Sequence, residues 1–193
     1  RVIMGYLPYS VGQQSANDEA QNLKYTKLDA RIADTYAKAT SATLKNSLYD
    51  SYVKAFRWGT DRLDPKNGGI IAFVSNGAWL DSNSTDGFRK VVEREFSSIW
   101  VLNTRGNART SGELIQKEAG NVFGGGSRTP IAITLLVKNP KLKSAKATIH
   151  YHDIGNYLSR EEKLERISKF HSVSNPDMGW MTLQPNEEGD WIS

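Results

Sequence analysis

The sequence has 193 residues, 25 Lys and Arg against 21 Asp and Glu for a formal charge of +4, 38% hydrophobic residues and no cysteine. These figures fit a single globular domain with a substantial core, and they exclude a disordered chain, a disulfide scaffold and a thiolate metal site. No apolar run is long enough to cross a bilayer and no secretory leader is present, so a cytoplasmic protein without a membrane partner is expected, and the mild positive charge allows a polyanionic partner without requiring one.

The chain opens on Arg1 and enters an apolar run, Val2 to Met4, which stops at Gly5 and turns into Tyr6-Leu7-Pro8-Tyr9. Entering a strand at once is expected of a segment of a larger protein. Pro8 fixes its own φ and biases Leu7 towards extended backbone, so the stretch predicts a strand ending in a stiff corner that presents Tyr9. In open α/β sheets the carboxyl ends of strands are where ligands bind. After a polar loop over 11–22, the spacing of Tyr25, Leu28, Ile32 and Tyr36 predicts a helix. A second helix is predicted from about Lys45 to Arg62, with Leu48, Tyr52, Ala55, Phe56 and Leu63 on its buried stripe, before the stop at 64–69.

Ile70 to Val74 is a continuous apolar run, expected to be a strand buried on both faces. Trp79 follows its exit turn, Ser75-Asn76-Gly77, as a rim or core residue. Asp86 is expected to cap a short helix with Phe88, Val92 and Phe96 inward, and Ile99 to Leu102 is the next strand. Residues 103–129 hold six glycines and four basic residues against two acids, which predicts a long, basic, mobile connection. Ile131 to Val137 is a strand, Lys138 to Lys146 a basic turn, and Ala147 to His152 its expected hairpin partner. Ser159 and Glu162 have the spacing of a capping box, opening a helix with Leu164, Ile167 and Phe170 inward. Irregular structure is expected from His171. The whole reads as an α/β fold with a mixed sheet ending in an antiparallel hairpin.

Several segments together resemble the catalytic half of γ-type adenine DNA methyltransferases. They are closest to the methyltransferase region of Type ISP restriction-modification enzymes, in which the functional parts share one polypeptide. The resemblance rests on Tyr6 to Tyr9, Lys45 to Asp50 with Phe56-Arg57-Trp58, Gly68 to Leu80, Phe88-Arg89-Lys90, Asn103 to Asn107, Gly124 to Thr129, His150 to Gly155 and Tyr157 to Glu162. It implies the C-terminal half of a Rossmann-like class I methyltransferase sheet over 1–170 and a linker over 171–193 toward a target-recognition domain. It also implies an S-adenosylmethionine cofactor, with its main binding motif upstream of Arg1. The implied partners are double-stranded DNA and the missing N-terminal, helicase-like and target-recognition parts. Half a sheet would expose a strand edge, so self-association is a further expectation.

In the family an Asn-Pro-Pro-Tyr motif clamps the flipped base by its amino group. Here the matching positions are Tyr6, Leu7, Pro8 and Tyr9. Tyr9 would stack on the base and the Leu7 carbonyl would accept from the amine. The Asn acceptor is replaced by Tyr6, which is expected to impair methyl transfer to adenine N6. Phe123 stands where the family places a second stacking aromatic; read alone it is a loop hydrophobe. Arg105, Arg109, Lys117 and Arg128 are candidate phosphate contacts or a solvated basic loop. Gly124 to Thr129 is not a phosphate loop, because it lacks the Gly-Lys-Ser/Thr ending and runs into Pro130. His150, His152 and Asp153 lack a separated third ligand, so no metal site is expected. A non-catalytic DNA-binding or scaffolding fragment and an RNA methyltransferase are the alternatives.

Overall fold

A computed structural model describes residues 1–7, 24–124, 127–142 and 144–192. Six strands form one mixed sheet in the order β1-β2-β4-β3-β5-β6. They are β1 (Val2–Tyr6), β2 (Gly69–Asn76), β3 (Ser98–Asn103), β4 (Ile131–Lys138), β5 (Thr148–Asp153) and β6 (Met181–Leu183). β1 and β2 are parallel, as are β3 and β5; β4 runs antiparallel to both β2 and β3. The carboxyl ends of β1, β2, β3 and β5 therefore share one edge with the amino end of β4. The architecture is an open, Rossmann-like α/β sheet.

The expected hairpin between residues 131–137 and 147–152 does not form. β4 is hydrogen-bonded on both sides and has no free edge to offer β5. The 138–146 turn instead passes the start of β3, where the Asn139 amide donates to Ser97 Oγ (2.8 Å), and delivers β5 to the far side of β3. The sheet does end in an antiparallel pair, made by β5 with β6.

Alternation along the strands puts Ile71, Phe73, Leu136, Ile99, Val101 and Ile149 on one face, all buried. That face packs under α1 (Thr26–Asp34), α2 (Tyr36–Ala39), α3 (Ser51–Thr60) and α4 (Asp86–Glu95), through Ile32, Tyr36, Phe56, Phe88 and Val92. The other face is covered only in part. Leu102, Ile154, Leu158 and Met178 form a second cluster there with Ile167, Phe170 and Trp180. Towards β1 the cover ends: Val2 and Met4 are exposed, and Ile70, Ala72 and Val74 are half-buried. β2 is thus buried on one face, not on both as its apolar run suggested.

The two predicted early helices are interrupted. The first breaks at Thr35, whose φ of −114° and ψ of −84° separate α1 from α2. The second begins as a 3-10 turn over Asn46–Tyr49 and restarts as α3 after Asp50, which is extended. Asp50 makes no side-chain cap bond to the helix. Its burial pushes the carboxyl up to about 6 from an ordinary 3.8, against the pull of Lys54. As pH rises from 3.8 to about 6 the unfolded chain ionises first, so this group lowers stability across that window and holds it lower above. Asp50→Asn is expected to raise stability at neutral pH by about 1–3 kcal/mol and to flatten the profile across the window. Urea unfolding at a series of pH values reads both; parallel profiles for the two proteins contradict the assignment.

Asp86 is not the cap of α4 but its first residue. Its carboxylate accepts from the Ser41 amide (2.9 Å), Ser41 Oγ (2.8 Å), Thr40 Oγ1 and Lys90 Nζ (3.0 Å), which ties the end of α2 to α4. Gly87 permits the approach: a Cβ there would lie 2.1 Å from the Tyr36 carbonyl oxygen.

The capping box of α6 (Arg160–Phe170) forms as expected, with Ser159 and Glu162 exchanging hydrogen bonds. Its inward face differs by one position. Lys163 is fully buried, whereas Leu164 is exposed. Lys163 shares a face with Ile167 and Phe170, and it takes the inward place because its ammonium has two backbone carbonyl acceptors. Residues 171–192, expected as irregular linker, contribute β6 to the sheet and Trp191 to the core, where it meets Trp79 edge-on at 5.3 Å.

Candidate functional site at the carboxyl edge

β1 carries Tyr6 to the carboxyl edge as its last residue, and the ladder continues one step further. The Leu7 amide donates to the Val74 carbonyl at 2.9 Å. Leu7 turns its side chain into the core, leaving its backbone at the edge. Tyr6 is 56% exposed and meets Phe123, 42% exposed, edge-to-face with ring centroids 4.9 Å apart. Two candidate residues from opposite ends of the fold thus converge on one spot, in the geometry aromatic quadrupoles favour. Pro8 and Tyr9 lie outside the described residues.

The 103–129 segment, expected to be a mobile connection, is pinned at several points. It contains α5 (Glu113–Glu118). Asn121 Nδ2 donates to the carbonyls of Gly106 (3.2 Å) and Thr129 (2.7 Å), and its Oδ1 accepts from the Phe123 amide (3.0 Å). Lys163 Nζ donates to the carbonyls of Glu118 (2.7 Å) and Gly120 (2.6 Å). Burial pushes that ammonium down to about 8. Gly120 sits against the start of α6, where a Cβ would come within 2.4 Å of the Arg160 amide nitrogen. Phe123 is therefore presented by a fixed loop.

Neighbouring residues sort into structural and open roles. Trp79, a rim or core candidate, is in the core, fully buried against Phe56 and Phe88. Asn76, at the end of β2, is also fully buried; its Oδ1 accepts from the Ala78 amide, and its Nδ2 has no partner among the described residues. The Ser75-Asn76-Gly77 turn signal located it without marking it as a site residue.

No family model and no curated protein sequence matches the chain. Solved structures do match. A nuclease-deletion mutant of the Type ISP restriction-modification enzyme LlaGI, in complex with a DNA substrate mimic, is 46% identical with a TM-score of 0.89. That match covers 98% of this chain and 15% of the LlaGI chain. The ATP-dependent Type ISP restriction-modification enzyme LlaBIII, bound to DNA, is 37% identical with a TM-score of 0.91, over 99% of this chain and 13% of its own. This chain is similar to one region of Type ISP restriction-modification enzymes. A DrdV–DNA complex matches at 38% identity and a TM-score of 0.88, over 100% of this chain and 18% of that one. The chain spans 13–18% of the length of these three chains.

In this Type ISP-like unit the four basic candidates do not act alike. Arg105 is committed internally: its guanidinium holds Asp153 (2.7 and 2.8 Å) and lies 3.6 Å from Glu118. Burial raises the Asp153 carboxyl, but the hydrogen bonds from Arg105, the Gly155 amide and Tyr151, with the Arg105 charge, together outweigh it and hold the group below its ordinary value. Lys117 pairs with Glu113 one turn away at 3.2 Å. Arg128 is exposed with one long contact to the Ala108 carbonyl (3.4 Å), and Arg109 is exposed. His150 stacks flat on Trp100 at 3.7 Å, while His152 packs edge-on against Phe170, so both imidazoles serve aromatic packing. Burial lowers the pKa of each. Among the described residues no three His, Asp or Glu side chains gather as a metal site. Among the described residues no helix is long and apolar enough to cross a membrane.

Proposed function

We propose that this chain is the catalytic half of an S-adenosylmethionine-dependent, adenine-specific DNA methyltransferase within a restriction-modification polypeptide. The observation that carries the reading is the pairing of Tyr6 with Phe123 beside the Leu7 backbone at the carboxyl edge of the sheet. The DNA-bound state of the LlaGI, LlaBIII and DrdV structures supports a DNA partner. A stacked adenine must leave the helix to expose its amino group. Phe123 and Tyr9 supply stacking surfaces for the extruded base. The Leu7 carbonyl accepts a hydrogen bond from the amine, which directs the nitrogen lone pair outward and readies the nitrogen to shed a proton. S-adenosylmethionine would supply an electrophilic sulfonium methyl: its sulfur–carbon bond would break as the carbon–nitrogen bond forms, leaving the neutral thioether, and the proton shed by the nitrogen would pass to solvent. On this reading the main cofactor motif would precede Arg1, and the strands carrying it would add to the β1 edge.

Tyr6 in the place of the family's Asn favours a second reading, a DNA-binding fragment without catalysis. Titration calorimetry with S-adenosylmethionine and its demethylated product, on this chain and on a longer polypeptide including the preceding sequence, separates the two. The longer polypeptide is expected to bind both ligands, and this chain neither. Failure of the longer polypeptide to bind either ligand overturns the enzyme reading.

A further inference from the structure

We propose that Arg160 is a phosphate-binding residue of the aromatic site, holding the backbone of the DNA strand whose base meets Phe123. The inference rests on the DNA reading above and adds a residue to it. Arg160 flanks Phe123 on both sides along the chain. Its Nε donates to the Val122 carbonyl at 3.2 Å, and a Cβ on Gly124 would stand 3.4 Å from the same nitrogen and 3.6 Å from Arg160 Cδ. With Nε tied down, the two terminal nitrogens remain to meet an anion. Among the described residues, the carboxylate within ion-pair reach is that of Glu161, 3.5 Å from Nη1, with side chains 44% and 77% exposed. Such a pair contributes little in water and yields to a better-placed anion.

The support behind Arg160 is stiff. Its backbone lies against Gly120, whose amide donates to the Leu158 carbonyl (3.2 Å), and Lys163 one turn on holds the same loop. The Ser159–Glu162 capping box fixes the first turn of α6 and occupies the second acid there. A guanidinium anchored through Nε presents a planar pair of donors, the geometry that suits a phosphate. Phosphate contacts set the register of a strand on a protein, and an extruded base needs its backbone held where the pocket receives it. Arg105 holds Asp153 through a half-buried pair and lies against Glu118, so it offers less to a strand at this spot.

The test is fluorescence anisotropy of the 193-residue chain with a labelled duplex carrying a mismatched adenine, over a salt series. Arg160→Gln keeps a donor for the Val122 carbonyl and removes the charge. It is expected to weaken binding about 5–10-fold and to reduce the slope of log affinity against log salt by about 0.9, one phosphate contact. Arg160→Lys retains most of the slope, and Glu161→Gln strengthens binding about twofold by removing a competing carboxylate. Far-UV dichroism confirms the fold of each variant. An unchanged slope in folded Arg160→Gln overturns the role of Arg160 while the DNA reading stands. If that variant does not fold, unchanged affinity in Glu161→Gln has the same force. Wild-type chain that binds no DNA overturns the DNA reading and this inference together.

Discussion

Arg89→Leu is expected to lower the unfolding free energy by about 3–5 kcal/mol, a large part of what holds a domain of this size together. Arg89 has no exposed surface, and each of its three nitrogens meets an acceptor. Nε donates to the Gly189 carbonyl (2.7 Å); Nη1 donates to the carbonyls of Trp79 and Ser82 (both 2.8 Å) and to Thr85 Oγ1 (3.2 Å); Nη2 meets Asp190 (3.2 Å). One side chain on α4 thereby closes the turn after β2 and straps the C-terminal segment onto the body. Leucine fills most of the volume but leaves buried acceptors without donors, which is the costly half of the exchange. Asp190→Asn should cost far less, about 0–1 kcal/mol, because that carboxylate is partly in water. Trp191 reports the strap: its indole donates to the buried Glu93 carboxylate at 2.7 Å, so its release shifts Trp emission. Urea unfolding followed by dichroism and by fluorescence measures both effects. A loss below about 1 kcal/mol in Arg89→Leu means the buried acceptors are re-satisfied by water, and the strap argument fails.

The strap also marks where sequence reading stops. Local signals found the strands at Ile70 and Ile131, the capping box at Ser159 and the helix before Phe96, because each is written within a few neighbouring residues. Strand order is not local. Nothing in residues 131–153 says that β4 fills the slot between β2 and β3, so the nearest strand in sequence looked like the nearest in space. Lys163 was passed over because Leu164 beside it has the apolar side chain, and the two carbonyls that welcome an ammonium come from a loop some forty positions earlier. Trp191 has the sequence surroundings of a linker, Asn, Pro and Gly, and its partners Trp79 and Glu93 meet it only in the fold. At the site, Tyr6 and Phe123 were both marked, yet only the sheet brings them together.

That pairing leads to the largest functional effect. On the proposed reading, Tyr6→Asn in the longer, cofactor-binding polypeptide is expected to raise adenine methylation by about 10²–10³-fold. The amino nitrogen of adenine shares its lone pair with the ring, and two acceptors on its hydrogens localise that pair. The Leu7 carbonyl is one, and the Asn oxygen would be the second. Tyr6 offers a phenol at the far end of a ring, and the ring meets Phe123 edge-to-face at 4.9 Å. Asparagine gives up that contact, at about 0.5–1.5 kcal/mol, and removes the Tyr6 ring from beside Phe123. Three variants divide these effects. Tyr6→Ala removes the ring without adding an acceptor, and Tyr6→Phe keeps the ring contact without the hydroxyl. A gain in N6-methyladenine, read by mass spectrometry of digested DNA, is expected in Tyr6→Asn alone. A similar gain in Tyr6→Ala assigns the block to the ring and not to the missing acceptor. Transfer that stays absent in Tyr6→Asn while cofactor and DNA both bind removes Tyr6 as the cause, and leaves the non-catalytic DNA-binding reading in its place.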